Sequence, residues 1–162
     1  MMLKIFLGCV VLLSDLIYLG ISSQRMLENN LPPKEVFATI EEAGKAAQAF
    51  AQSTGGSLGS VFGTGSMVPF IPSAKPGESP TSTIVAFVVS RPGATFADIR
   101  VGDLCTYQPA DRTPGQTWIH LAAKKDSAGW IMTGLNNKHY ENWMRVTPAN
   151  FSFIVSKVFT IQ

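Results

Sequence analysis

One serine of the sequence follows two closely spaced glycines in a segment suited to nucleophilic chemistry. The segment reads Gly63-Thr64-Gly65-Ser66-Met67-Val68-Pro69. Glycine permits a tight turn and a close approach of another backbone, and the proline stiffens the exit from that turn. A serine exposed on such a turn can attack a carbonyl carbon when a general base lies nearby. Because glycine–serine turns are common, Ser66 is a candidate nucleophile only if the chain also supplies that base.

Histidine and lysine side chains are the candidates for the base. His120 lies in the apolar stretch Trp118-Ile119-His120-Leu121. A histidine there is commonly a core residue, although an imidazole can take a serine proton at neutral pH. His139 lies in a polar loop, where a solvated position is expected, and Lys124 and Lys125 adjoin a polar turn although a lysine base requires burial. Spacing alone therefore favours His120 only modestly.

The first part of the chain, residues 1–23, is strongly apolar. Lys4 precedes the apolar run 5–13, Asp15 interrupts it, and residues 16–21 resume it. The segment is close to the roughly 20 residues needed to span a bilayer, although an aspartate near its middle costs roughly 2.5–3.5 kcal/mol. We interpret it as a single N-terminal membrane anchor with the rest of the chain extracytoplasmic. A cleaved signal peptide and a packed amphipathic helix are the alternatives.

A helical linker is expected over residues 24–56. After a break at 29–33, apolar residues recur at helical spacing between Lys34 and about Gln52, and Ser53-Thr54-Gly55-Gly56 ends the pattern. The structural role of such a helix is to cover a core or to lie on a membrane surface.

Residues 57–162 read as a series of short strands and turns, and they are predicted to form the catalytic β domain. The total length of 162 residues suits one domain with an appendage. We expect a mainly β fold, coiled and partly open like a barrel, preceded by an N-terminal apolar helix and a second short helix. The predicted strands lie at 58–62, 83–90, 118–123, 130–133 and 150–161, and residues 101–107 are predicted to form a turn followed by a strand.

Composition excludes several classes of function. The formal net charge of +2 comes without a basic block, so nucleic-acid binding is not indicated. Cys9 and Cys105 are the two cysteines, and no Cys/His cluster with metal-ligand spacing exists in the sequence. The sequence therefore implies no metal and no organic cofactor.

The order of five short motifs resembles that of the type I signal peptidases and their relatives with the same β fold. The nucleophile motif of that family is similar to Thr64-Gly65-Ser66-Met67-Val68-Pro69, and the next is similar to Val101-Gly102-Asp103-Leu104-Cys105-Thr106-Tyr107. Trp118-Ile119-His120 is similar to the base motif of the eukaryotic and archaeal branch, which has histidine where the bacterial branch has lysine. The last two motifs are similar to Thr133-Gly134-Leu135-Asn136-Asn137 and Val155-Ser156-Lys157-Val158.

The resemblance implies a serine endopeptidase that acts on exported or membrane-associated precursor polypeptides. Ser66 would be the nucleophile and His120 the general base. The backbone N–H of Ser66 and the hydroxyl of Thr64 would donate to the oxyanion. The reaction would be peptide hydrolysis through an acyl-enzyme.

One departure from the family concerns the residue that would orient the histidine. The family has an aspartate where this chain has Leu135, and a leucine cannot accept a proton from Nδ1. A dyad could operate, Glu141 or Asp126 could serve as the third member, or activity could be lost. The stretch between Ser66 and the Gly102 motif is also long, and its strand at 83–90 could offer an edge to an extended peptide.

Two alternatives to a general peptidase follow from the sequence. One is a catalytically inactive binding or structural module on the same fold, which the leucine at position 135 favours. The other is a self-cleaving peptidase, like the repressors that share this fold and cut an Ala-Gly bond upstream of their serine. Ala43-Gly44 is such a bond in this chain.

Overall fold

The computed structural model describes Leu27 and residues 30–109, 117–137 and 140–162. Within these residues the fold has seven strands and one α-helix. They are β1 (Lys34–Phe37), α1 (Ile40–Thr54), β2 (Leu58–Phe62), β3 (Ile84–Ser90), β4 (Leu104–Tyr107), β5 (Trp118–Asp126), β6 (Gly129–Thr133) and β7 (Phe151–Ile161). The predicted membrane anchor at 1–23 and the candidate surface histidine His139 lie outside the described residues. In the part of the chain that the structure does describe, no helix is both long and apolar enough to cross a membrane.

The strands form one open sheet in the order β2-β3-β7-β4-β5-β6, with antiparallel neighbours throughout. β1 is added in parallel beside β7. The 11 residues of β7 hold the two halves of the sheet together, because the N-terminal part of β7 pairs with β4 and its C-terminal part pairs with β3 and β1. The prediction of a mainly β fold is confirmed in the form of this open sheet.

The predicted helix from Lys34 is wrong over its first residues, since Lys34–Phe37 is strand β1. The helix begins at Ile40 because Thr39 caps it. The Thr39 hydroxyl accepts from the backbone N–H of Glu42, and the Glu42 carboxylate accepts from the backbone N–H of Thr39. This reciprocal pair is a capping box, and its pattern of threonine followed three residues later by glutamate is visible in the sequence.

Small side chains allow α1 to pack closely against the sheet. Ala43, Ala47 and Ala51 are buried against Val89 and Phe159. They recur four residues apart and so lie on one face of the helix. The segment predicted as a linker therefore contributes one strand and one packed helix to the same fold.

Both faces of β4 are buried, and this determines where the polar groups of the site lie. Leu104 belongs to one apolar cluster, whereas Cys105 and Tyr107 belong to another. Successive side chains of a strand point to opposite faces of the sheet. His120 pairs with Cys105 across β4 and β5, so the imidazole shares a face with the Tyr107 ring. Cys105 is fully buried in this strand.

The strand at 83–90 does not offer a free edge. β3 lies between β2 and β7 and is hydrogen-bonded to both. The expectation that a peptide could pair with that strand is therefore wrong. The exposed edge on this side of the described sheet belongs to β2, which ends four residues before Ser66.

Candidate active site

Ser66 lies in a tight turn, and the side chain of the next residue, a methionine, is buried and fixes the turn to the core. Gly65 has a φ of 81°, which a residue with a Cβ rarely adopts, so glycine is needed immediately before the serine. The backbone N–H of Val68 donates to the Gly65 carbonyl (3.3 Å), and the neighbouring Met67 side chain is only 3% exposed. Ser66 itself is half-buried. The turn therefore holds the hydroxyl at the surface while its apolar neighbour fixes the turn to the core.

The structure brings His120 to Ser66. The Nε2 atom of the imidazole lies 2.9 Å from the Ser66 hydroxyl oxygen, which is hydrogen-bonding distance. The two residues are 54 positions apart, and β5 carries the imidazole to the serine turn. Only 5% of His120 is exposed.

Glu141 lies on the other side of the imidazole. Its Oε1 atom is 3.0 Å from Nδ1 of His120, and its side chain is only 10% exposed. The backbone N–H of Glu141 donates to the Met132 carbonyl (2.9 Å), which fixes the glutamate beside the end of β6. Of the two carboxylates that the sequence offered as a third member, the structure places this one at the histidine.

Tyr107 joins the same cluster from β4. Its hydroxyl donates to Oε2 of Glu141 at 2.8 Å, and its oxygen lies 2.8 Å from Nδ1 of His120. The residue is fully buried. Sequence reasoning assigned no role to this tyrosine beyond its place in a motif, although a buried hydroxyl on the strand next to the histidine is a signal that it needs a partner.

These contacts determine which nitrogen of the imidazole carries the proton. An ionised glutamate can only accept hydrogen bonds, and the tyrosine uses its single proton on Oε2 of Glu141. Both oxygens near Nδ1 of His120 are therefore acceptors, so Nδ1 carries the hydrogen. The lone pair of Nε2 then faces the Ser66 hydroxyl, which donates to it. This is the arrangement that a general base requires.

Hydrogen bonds keep the carboxylate of Glu141 ionised although the side chain is largely buried. Burial raises the pKa of the carboxyl, but hydrogen bonds from His120, Tyr107 and Asn137, together with the positive charge of the imidazole when it is protonated, outweigh burial and hold this pKa below its usual range. Burial and the adjacent carboxylate both raise the pKa of the Tyr107 hydroxyl, which therefore stays protonated and remains a donor.

The loop after β6 holds the serine turn in place. The backbone N–H of Asn136 donates to the Ser66 carbonyl (2.9 Å), and its side-chain amide donates to the Gly65 carbonyl (3.3 Å). The neighbouring Asn137 amide reaches Oε1 of Glu141 at 3.4 Å. The two asparagines therefore connect the turn of the serine to the position of the glutamate.

Gly134 allows this close approach, and its replacement by alanine is expected to disturb the site. A Cβ at this position would overlap the Ser66 carbonyl oxygen and would lie 3.0 Å from the Asn137 side chain. We expect Gly134→Ala to lower the free energy of unfolding by about 1–3 kcal/mol, as overpacking typically does, and to reduce activity. Denaturant unfolding followed by circular dichroism measures the first effect. Asn136→Ala, which keeps the backbone contact, should have the smaller effect; equal stability of Gly134→Ala and wild type would contradict the argument.

Asp126 and Leu135 are the two other residues that the sequence analysis considered for the orientation of the histidine. Asp126 ends β5, where its carboxylate accepts from Arg145 (2.8 Å) and from the backbone of the β5–β6 turn. It is six residues from His120, or about 20 Å along an extended strand. Leu135 packs against the apolar cluster that includes Met67 and Leu121.

The two predicted oxyanion donors are the Thr64 hydroxyl and the backbone N–H of Ser66. Thr64 is exposed two residues before the serine. The backbone N–H of Ser66 has no acceptor within the described residues.

Aromatic rings flank the imidazole. Trp118 contacts the ring of His120 edge-on, with centroids 5.9 Å apart, and Trp143 contacts Trp118 in the same way at 5.6 Å. Trp143 is 59% exposed. These rings limit the access of water to one side of the histidine.

Fold and site together define a mainly β protein with a serine, a histidine and a glutamate connected by hydrogen bonds. No protein-family model matches this chain, and no curated protein or solved structure matches it. The resemblance to the signal peptidases therefore rests on the sequence motifs alone.

Proposed function

We propose that this protein is a serine endopeptidase with Ser66 as nucleophile, His120 as general base and Glu141 as the residue that orients the base. The observation that carries the proposal is the continuous hydrogen-bonded series from the serine hydroxyl through both imidazole nitrogens to a buried carboxylate. A core histidine could be satisfied by a single partner. Here both nitrogens are engaged, and the tautomer is the one that accepts a proton from serine.

The proposed reaction proceeds through an acyl-enzyme. The Ser66 oxygen attacks the carbonyl carbon of the scissile bond while Nε2 of His120 takes the hydroxyl proton. The resulting imidazolium is stabilised by the carboxylate of Glu141 and returns that proton to the leaving amine. Water then attacks the ester carbonyl and gives a proton to Nε2. The imidazolium passes this proton to the Ser66 oxygen as the second tetrahedral intermediate collapses, and the carboxylic acid product, the free serine and the neutral imidazole are released.

The oxyanion is proposed to be stabilised by the backbone N–H of Ser66, with the Thr64 hydroxyl as a second donor. The first is unoccupied within the described residues, as such a donor must be before substrate binds. Donors of this kind are already in place when charge develops, so they lower the barrier without further reorganisation.

The proposed substrates are precursor polypeptides bound in an extended conformation and cleaved after small residues. β2 supports this proposal, because the exposed edge of the described sheet leads directly into the serine turn. A peptide can add to such an edge by backbone hydrogen bonds. The signal peptidase type of fold belongs to the same proposal and is supported by the motif resemblance. The N-terminal anchor at 1–23 and an extracytoplasmic catalytic domain also belong to it, and they are supported by the apolar run of that segment.

The test compares wild type with Ser66→Ala on a precursor that carries a small-x-small cleavage site, in detergent, with products identified by mass. Wild type should release a defined fragment and Ser66→Ala should not. A fluorophosphonate probe provides a second readout, since it should phosphonylate wild type at Ser66 alone, with loss of fluoride. A folded wild type that neither cleaves nor reacts with the probe would contradict the proposal and favour the inactive binding module.

The self-cleaving alternative makes a separate prediction for the same samples. The Ala43–Gly44 bond lies inside helix α1, and Ala43 is fully buried against the sheet. Peptidases bind extended backbone, so cleavage there would require local unfolding of the helix. Mass analysis of stored wild type and Ser66→Ala would reveal it as a serine-dependent cut at this bond.

A further inference from the structure

We propose that Tyr107 is a positioning residue of this site. Its one hydroxyl group holds the imidazole of His120 and the carboxylate of Glu141 in a fixed relative orientation. The inference rests on the proposed function and goes beyond its three named residues. It assigns the tyrosine a part in orientation, and no contact with the substrate or the reacting atoms.

The geometry around the hydroxyl is complete. Its proton is donated to Oε2 of Glu141 (2.8 Å), and its oxygen accepts from Nδ1 of His120 (2.8 Å). The carboxylate thus has one oxygen on the histidine and the other on the tyrosine. A carboxylate bound at one oxygen alone could rotate about its terminal torsion, which has a broad energy minimum. Binding at both oxygens fixes the direction in which Oε1 faces Nδ1.

The sheet determines where this hydroxyl lies. Tyr107 pairs with Trp118 across β4 and β5, and His120 is the diagonal neighbour on the same face. Diagonal neighbours lie about 7–8 Å apart, within reach of an aromatic side chain. The centroid of the tyrosine ring lies 6.3 Å from that of the Trp118 ring and 6.1 Å from that of the imidazole. These two neighbours restrict the orientation of the tyrosine ring. The rigid strand, and not a loop, therefore sets the position of the hydroxyl.

Removal of the hydroxyl would affect two groups at once. Tyr107→Phe retains the ring and its packing, but it leaves Oε2 of Glu141 buried without its donor. An acceptor deprived of its partner in the interior is unfavourable, so the carboxylate is expected to turn towards the Asn137 amide, which already contacts Oε1. Nδ1 of His120 would then lose both of its acceptors.

The experiment combines NMR of the full-length protein with kinetics. In wild type, long-range ¹H–¹⁵N spectra of ¹⁵N-histidine-labelled protein should show His120 as the Nδ1–H tautomer. In Tyr107→Phe, we expect a mixture of tautomers and exchange of the Nδ1 proton with water at least about tenfold faster. kcat should fall about 10- to 100-fold with KM unchanged, a part of the roughly 100- to 10,000-fold that acid–base catalysis supplies.

Tyr140→Phe is the matched control, because it removes a hydroxyl from a tyrosine that is 42% exposed. It should leave the tautomer, the exchange rate and kcat as in wild type. The inference is overturned if Tyr107→Phe has the wild-type spectrum and kcat, or if wild type itself holds His120 as the Nε2–H tautomer. The second outcome does not require the variant to fold. The NMR result is also independent of cleavage, so failure of the peptidase proposal and failure of this inference are separate results.

Discussion

His120→Ala is expected to reduce kcat/KM on a cleavable precursor roughly a million-fold, about as much as loss of the nucleophile. Residues that act as a unit lose most of their effect when any one of them is removed. The imidazole lies 2.9 Å from the Ser66 oxygen, and no other described side chain is shown in contact with that hydroxyl. Without it the hydroxyl proton has no acceptor during attack. Single-turnover cleavage with products identified by mass measures the loss.

Two comparisons sharpen this prediction. His139→Ala changes the only other histidine of the sequence, for which a solvated loop position is predicted, and it should retain activity. Added imidazole should partly restore cleavage by His120→Ala, because it can occupy the space left by the ring and accept the serine proton. Full activity of His120→Ala would refute the assignment of the base.

Glu141→Gln is expected to lower kcat by up to roughly 10,000-fold, the loss that an acid-to-amide change at the third member causes in such triads. The amide is similar in shape but carries no charge, so it cannot stabilise the imidazolium. Its NH₂ group can also face Nδ1 and favour the wrong tautomer. Steady-state kinetics on the same precursor would measure the change.

Asp126→Asn is the matched control, since it makes the same chemical change in the other carboxylate that the sequence offered. Its carboxylate binds Arg145 at the far end of β5, so kcat should not change. Loss of activity in Asp126→Asn together with normal activity in Glu141→Gln would reverse the assignment.

Glu141 also predicts how stability depends on pH. Hydrogen bonds hold its pKa in the folded protein below the ordinary value of 4.5, against the opposing effect of burial. A depressed pKa means that the ionised carboxylate stabilises the fold above the pKa of the unfolded chain, and that this contribution is lost as the pH falls through the lower, folded value. Below about pH 4.5, the melting temperature of the wild type should therefore fall further than that of Glu141→Gln. Thermal unfolding between pH 7 and 3 would show this, and parallel curves would contradict it.

Much of the fold could be predicted from the sequence because its signals are local. β-branched and apolar runs with intervening turn residues predicted the strands at 58–62, 84–90 and 151–161 to within a residue or two. The strand at 34–37 was missed. Its apolar residues also fit helical spacing, and only pairing with β7, more than a hundred residues later, makes it a strand.

The sequence by itself also determined the pair that could do chemistry. Residue types and spacing favoured His120 only modestly over the other candidate bases, and the order of motifs that resembles the signal peptidases then singled out Ser66 and His120 before any distance was known. It could not choose between Glu141 and Asp126, because a carboxylate in a polar loop has the same local pattern whether it is buried or solvated.

Only the tertiary structure decided the partners of the histidine. Four segments far apart in the chain meet at His120: the serine turn, β4 with Tyr107, β5 itself and the segment of Glu141 after β6. Hydrogen bonds act over about 3 Å, and sheet order and register set which groups come that close. Neither the order of the strands nor their register is encoded in any short stretch of sequence. Ser66 and His120 could therefore be named from the sequence motifs, whereas the choice of Glu141 over Asp126 and the addition of Tyr107 depended on the packing of the sheet.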